Sequence, residues 1–195
     1  MSPANRRIQV QLIAATSAFS WLAMQAVHEF GHVAHAWLSG GHVANVVLQP
    51  LEISRTDVSP NPHPQFVAWG GAVWGSLIPL GIHGVMQWRG WTRAWLSAFF
   101  AGFCLIANGA YLLGGSLFPA GDAQTLLESG APHWALIVCG IAGLVSGLAL
   151  WNGLGKHFGL GKSASDVDKS AACVMSVGAL VVLIIEMLWW MLMDH

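Results

Sequence analysis

Charged residues are scarce in this sequence. Asp, Glu, Lys and Arg make up 9% of the 195 residues, whereas apolar residues make up 55%. A soluble globular domain carries about 25% charged residues. So little charge excludes an ordinary soluble domain and predicts a small integral membrane protein. The formal net charge of −1 gives no reason to expect a nucleic acid as a partner.

Cysteine is scarce as well. Cys104, Cys139 and Cys173 each lie in a different apolar stretch. An odd, scattered set indicates buried free thiols rather than a disulfide framework. The sequence contains no Cys-x-x-Cys pair, which argues against a zinc site built from thiolates.

Long apolar segments dominate the rest of the chain. They predict about five transmembrane helices, near residues 8–38, 65–88, 91–117, 133–154 and 171–193. Each is long enough to cross the ~30 Å hydrocarbon core. Between the first two, a Val-rich stretch and an alternating stretch at 51–56 predict two short strands. We therefore expect an all-α polytopic membrane protein with a short β-strand segment, forming one integral-membrane domain over residues 1–195.

Positive charges fall mainly on one side of the predicted membrane. Five spans alternate in direction, so the loops separate into an N-terminal side and an opposite side. The opposite side has only Arg55, and the N-terminal side has Arg6, Arg7, Arg89, Arg93, Lys156, Lys162 and Lys169. The positive-inside rule then predicts a cytoplasmic N-terminus.

The first apolar segment contains His28-Glu29-Phe30-Gly31-His32, a His-Glu-x-x-His motif. Residues four apart share one face of a helix and lie about 6 Å apart along its axis. Two imidazoles in this arrangement can share one metal ion, and a carboxylate beside them can reach a metal-bound water. The motif predicts a zinc site with His28 and His32 as ligands and Glu29 as general base. The competing interpretation is a set of interfacial polar residues at a helix end.

Zinc in an enzyme usually has three protein ligands and one open position. Asp122 is the predicted third ligand, because the third span ends near it on the same non-cytoplasmic side as His28. Pro119 and Gly121 free the local backbone to turn its carboxylate inward. His35 is the alternative, on nearly the same helix face as His28 but about 10 Å along the axis. Three further histidines flank that side: His42, His63 and His133.

These features together resemble the site-2 protease family of intramembrane zinc metalloproteases, over about residues 15–125. The resemblance rests on the motif at His28–His32, a Gly-rich helix exit, two strands, the small residues Gly70-Gly71-Ala72 and an Asp after a Pro. It implies a catalytic core at about residues 8–125 and a C-terminal helix pair at about 132–193. It also implies Zn²⁺ as cofactor and hydrolysis of peptide bonds in transmembrane or membrane-anchored protein substrates, within or beside the lipid bilayer.

Two polar residues in the spans have no assigned role. The family often has Asn-x-x-Pro close before its Asp, whereas Asn108 lies about four helical turns before Asp122. We therefore expect no role for Asn108 near the site. Glu186, in the last span, is expected to hydrogen-bond another helix in a structural role, with gating or tuning of the site as the alternative.

Other functions fit parts of the sequence. A non-catalytic membrane zinc-binding or assembly protein would retain the histidines, but it would not need Glu29. A small-solute transporter would be expected to show internal repeats and polar residues on several spans at the midplane. This chain shows no repeat, and its polar residues cluster at one end.

Overall fold

The computed structural model describes residues 3–161 and 166–193, and it consists mainly of helices. In chain order these are α1 (Pro3–Leu38), α2 (Pro64–Trp88), α3 (Ala94–Leu117), α4 (Gly121–Glu128), α5 (His133–Trp151) and α6 (Lys169–Met193), with a 3-10 turn at Leu154–Phe158 before α6. All but α4 are long and apolar enough to cross a membrane. The predicted polytopic helical fold is confirmed. Lys162, one of the charges counted above, lies outside the described residues.

Two strands form a small antiparallel hairpin between α1 and α2, as predicted, but the second begins at Arg55 instead of residue 51. Strand β1 (Val43–Val47) pairs with β2 (Arg55–Val58), and Val46 stands opposite Thr56. The hairpin begins directly after α1 because glycines end that helix. Gly40 adopts a φ of +75° that other residues rarely adopt, and the Gly41 N–H donates to the Ala36 carbonyl at 2.8 Å.

The long helices are neighbours in the order α6, α1, α2, α3, α5. Leu12 of α1, Leu96 of α3 and Met175 of α6 belong to one apolar cluster that joins these three helices. Helices α3 and α5 approach closely at Gly109 and Gly140, where a Cβ on either glycine would lie within 3 Å of the other's carbonyl oxygen. Small residues therefore set the helix spacing, as is common in membrane bundles.

Helix α4 is the part of the fold that the sequence did not predict. The chain reverses after α3, and α4 packs back against α2 and α3. The reversal requires glycine at position 121, because its φ is +53° and a Cβ there would overlap the Tyr111 hydroxyl. Buried Ala123 and Leu126 hold α4 in an apolar cluster with Leu112. Asp122 is thereby carried back alongside Tyr111 instead of lying beyond the end of α3.

The cysteine prediction is correct in part. All three thiols are free, and Cys104 is buried in α3. Cys139 and Cys173 are exposed on α5 and α6, so the expectation of three buried thiols is wrong. Their apolar sequence context reflects the outward faces of these helices rather than a protein core.

Candidate metal centre

The His-Glu-x-x-His motif lies in α1 and brings its ligand atoms together. One ligand atom each from His28, Glu29 and His32 lies within 4.8 Å of the others. The imidazole rings are 4.9 Å apart between centroids in an edge-on arrangement. Glu29 is 2% exposed and His32 is 5% exposed. This group can bind a metal ion, as the helical spacing predicted.

Asp122 meets both histidines. Its Oδ2 atom lies 3.0 Å from His28 Nε2 and 3.1 Å from His32 Nε2. Ligands of a tetrahedral zinc ion, at bond lengths of ~2.0–2.1 Å, lie about 3.3 Å apart, so these separations fit a shared ion. Burial acts to raise the pKa of Asp122. Imidazoles that are protonated at Nε2 donate hydrogen bonds to the carboxylate, which outweighs burial and holds that pKa below its usual range.

Hydrogen bonds on the far side of each ring direct the lone pairs toward Asp122. His28 Nδ1–H donates to Asn108 Oδ1 at 2.8 Å, and His32 Nδ1–H donates to the Val67 carbonyl at 2.8 Å. The Asn108 amide nitrogen donates in turn to the Cys104 carbonyl at 2.9 Å, which fixes the orientation of the amide. A neutral imidazole protonated at Nδ1 presents a lone pair at Nε2. Both lone pairs therefore face the Asp122 carboxylate.

With both imidazoles neutral, three acceptor atoms face one another, and a cation between them would satisfy all three. The outer hydrogen bonds are of the kind that orient histidine ligands in metal sites. Two imidazole nitrogens and one carboxylate oxygen form a donor set that zinc accepts. The residues present thus fit a bound metal ion, and the donor types suit zinc.

Glycines let α2 approach these imidazoles. A Cβ at Gly31, inside the motif, would overlap the Gly70 carbonyl of α2. A Cβ at Gly71 would overlap the Nε2 atoms of both His28 and His32. The small residues Gly70 and Gly71 therefore allow this close approach, and Gly71 leaves free the space beside the nitrogens where an ion would bind.

The centre opens into a cavity of about 660 Å³. Helices α1, α3 and α4 and the hairpin segment at Ile53–Thr56 line it. Trp21 and Ile53 lie at its edge and are 43% and 81% exposed. Inside, the Glu29 carboxylate accepts hydrogen bonds from Ser54 Oγ at 2.6 Å and Thr56 Oγ1 at 2.7 Å. The cavity is large enough for a short peptide segment or several waters beside the histidines and Glu29.

Asn108 was missed at the sequence level. The expectation that it has no role near the site is wrong, because it holds His28 in place. Its distance in sequence from Asp122 was misleading, since the reversal before α4 brings Asp122 back toward it. The available signal was its position as the only polar amide in an otherwise apolar span.

The alternative histidine ligands lie elsewhere. His35 is buried under α2, where its Nδ1–H donates to the Phe66 carbonyl at 2.6 Å and its ring stacks on that of Phe66. His133 contacts the Ser116 carbonyl. His42 and His63 are exposed, and none of the four lines the cavity.

Glu186 is also away from the centre. It is 2% exposed on α6 and does not line the cavity. Neither of its carboxyl oxygens has a hydrogen-bond partner among the described residues. The expected hydrogen bond to another helix is therefore not found there.

Comparison with models of protein families, with curated proteins and with solved structures finds no match to this chain.

Proposed function

We propose that this protein is an intramembrane zinc metalloprotease that hydrolyses peptide bonds of transmembrane or membrane-anchored substrates. One observation carries the proposal. Two histidine Nε2 atoms face Asp122 Oδ2 at 3.0 and 3.1 Å, and Glu29 lies beside them in a cavity within a membrane-type helical bundle. His28, His32 and Asp122 would hold the ion, as the resemblance to site-2 proteases implies.

The proposed mechanism assigns one step to each group. Bound zinc supplies Lewis acidity, which polarises a carbonyl and makes a water more acidic. Glu29 takes the proton of the attacking water and passes it to the leaving amine. Asn108 and the Val67 carbonyl keep the histidine rings oriented. The glycines of α2 keep the ion position free of side chains.

A peptide bond inside a helix is shielded, so the substrate must unwind before it is cleaved. The hairpin offers a surface for an extended segment. Strand β2 pairs with β1 along one edge, and Arg55 and Thr56 of β2 line the cavity. We propose that the substrate pairs with β2 as an added strand. The excess of positive residues on the N-terminal side supports a cytoplasmic N-terminus, with the centre toward the opposite face.

A non-catalytic metal-binding or assembly protein is the second candidate. One observation favours it: both Glu29 oxygens already accept hydroxyl hydrogen bonds, which a purely structural carboxylate would also do. The two functions differ in whether Glu29 is needed for turnover.

The test is metal analysis and cleavage of a panel of single-span substrates by the purified protein, with Glu29→Gln and Asp122→Ala as variants. We expect about one zinc per chain in the wild type. Glu29→Gln should keep the zinc and lower cleavage ~10²–10⁴-fold, the usual contribution of a general base. Asp122→Ala should lose zinc, whereas His35→Ala should retain it.

Undiminished cleavage by Glu29→Gln would eliminate the mechanism. Full zinc occupancy without any cleavage in the wild type would favour the non-catalytic candidate. Full occupancy in Asp122→Ala would remove Asp122 from the ligand set.

A further inference from the structure

Two hydroxyl groups of the hairpin bind the two oxygens of a single carboxylate. Ser54 Oγ donates to Glu29 Oε1 and Thr56 Oγ1 donates to Glu29 Oε2, at 2.6 and 2.7 Å. Ser54 and Thr56 are two residues apart in an extended segment, so their side chains point to the same side. The intervening Arg55 is exposed. One face of residues 54–56 therefore carries both donors to Glu29.

The same segment is bonded to α1 one helical turn earlier. The Ser54 N–H donates to Gln25 Oε1 at 3.0 Å. Gln25 and Glu29 are four residues apart and share a face of α1. Three hydrogen bonds thus fix residues 54–56 to this helix face, beside His28 and His32.

The opposite edge of the hairpin is held by the last helix. Trp189 of α6 donates its indole N–H to the Val46 carbonyl at 2.7 Å. Val46 is the residue of β1 that stands opposite Thr56. The strand that binds Glu29 is therefore supported from both sides, so its hydroxyl groups are fixed in position rather than free in a loop.

We propose that Ser54 and Thr56 are positioning residues for Glu29, and that the hairpin is part of the catalytic apparatus rather than a cover over it. This inference rests on the proposed function of Glu29 as general base. Each carboxylate oxygen has two lone-pair sites. A hydroxyl group occupies one on each oxygen and fixes the side-chain rotamer, which leaves the others for a water in the cavity. Without the hydroxyl groups, the carboxylate is free to rotate away from that water.

The experiment compares the Ser54→Ala/Thr56→Ala double variant with the conservative Ser54→Thr/Thr56→Ser pair. We expect the alanine variant to keep its zinc and its KM within about twofold, and to lose kcat ~10–100-fold, as misplacement of a reacting group does. The conservative pair should recover most of the kcat, because a hydroxyl group remains at both positions. Asp57→Ala is the matched control, since Asp57 is exposed in the same strand and does not line the cavity.

A second measurement does not depend on activity. Hydrogen–deuterium exchange of residues 50–58 should rise in the alanine variant and in Glu29→Ala. It should rise no further when the two are combined, because both remove the same contacts. Additive increases would show that Glu29 and the two hydroxyl groups do not hold each other.

The outcomes separate this inference from the proposed function. A wild type that cleaves, together with an alanine variant of equal or higher kcat, overturns the positioning role and leaves the protease intact. A zinc-loaded wild type that cleaves nothing overturns the proposed protease function, and with it the proposed catalytic role of the hairpin. Loss of kcat without recovery in the conservative pair would show that the hydroxyl groups do not act as proposed.

Discussion

Glu29 and Glu186 are both 2% exposed, but they lie in very different surroundings. Glu29 of α1 accepts one hydroxyl hydrogen bond on each oxygen and lines the cavity beside the metal centre. Glu186 of α6 has no hydrogen-bond partner among the described residues and lines no part of that cavity. Burial alone therefore does not distinguish these two carboxylates. The hydrogen-bond partners around each of them do.

The same contrast separates the two halves of the bundle. In the part formed by α1 to α4 and the hairpin, polar side chains from four elements converge on the motif in α1: His28, Asn108, Asp122 and Thr56. The α3–α5 contact is instead made by glycine backbones, and the outward faces of α5 and α6 are apolar. The first part positions polar side chains against one another, whereas α5 packs on α3 and α6 packs on α1.

The largest expected effect comes from filling the space at the metal centre. Gly71→Ala would place a methyl group against the Nε2 atoms of His28 and His32, where a bound ion would lie. We expect zinc affinity to fall more than ~100-fold, beyond the usual effect of losing an outer hydrogen bond. Gly81→Ala, in the same helix, is the control because a Cβ there meets no atom within 4 Å. Equal zinc affinity in the two variants, measured by competition with a chelator, would place the ion elsewhere.

A smaller effect is expected from the outer support of His28. Asn108→Ala removes the acceptor of the His28 Nδ1–H and should weaken zinc binding ~10–100-fold. Ser97→Ala offers a matched control, because Ser97 is a buried residue of the same helix and its hydroxyl contacts His83 at 3.0 Å, away from the metal centre. If the two variants bind zinc equally well, the contact with Asn108 has no part in metal binding.

The smallest effect tests the two glutamates directly. Glu186→Met keeps the length of the side chain and removes two oxygens that lack partners among the described residues. It should stabilise the protein by about 1–2 kcal/mol, because an unsatisfied buried polar group is costly. Glu29→Met should do the opposite, since it leaves the hydroxyl groups of Ser54 and Thr56 without their acceptor. Thermal unfolding in detergent measures both. A destabilised Glu186→Met variant would indicate a partner for Glu186.

Most of the fold was predictable because its signals are local. A run of about 20 apolar residues predicts a membrane-spanning helix wherever it occurs, and five such runs gave the five long helices. Glycines after Leu38 predicted the end of α1. The alternating stretch at 51–56 predicted a strand, which the structure places slightly later, at Arg55–Val58. Helix α4 was missed because its eight residues carry no long apolar signal, and because the reversal before it depends on packing against Tyr111 and Leu112.

The sequence by itself determined that His28 and His32 lie next to each other on one helix. Four-residue spacing puts His28 and His32 on one face of any helix, so their proximity needs no other part of the chain. Only the tertiary structure decided what meets them. The chain reversal at Gly121, which has a positive φ, brings Asp122 back to the two histidines. Asn108 of α3 contacts the far side of the His28 ring. The hairpin brings Ser54 and Thr56 to Glu29. The reason is physical: helical periodicity acts within one segment, whereas contacts between segments depend on how closely small residues such as Gly31 and Gly71 let the helices pack.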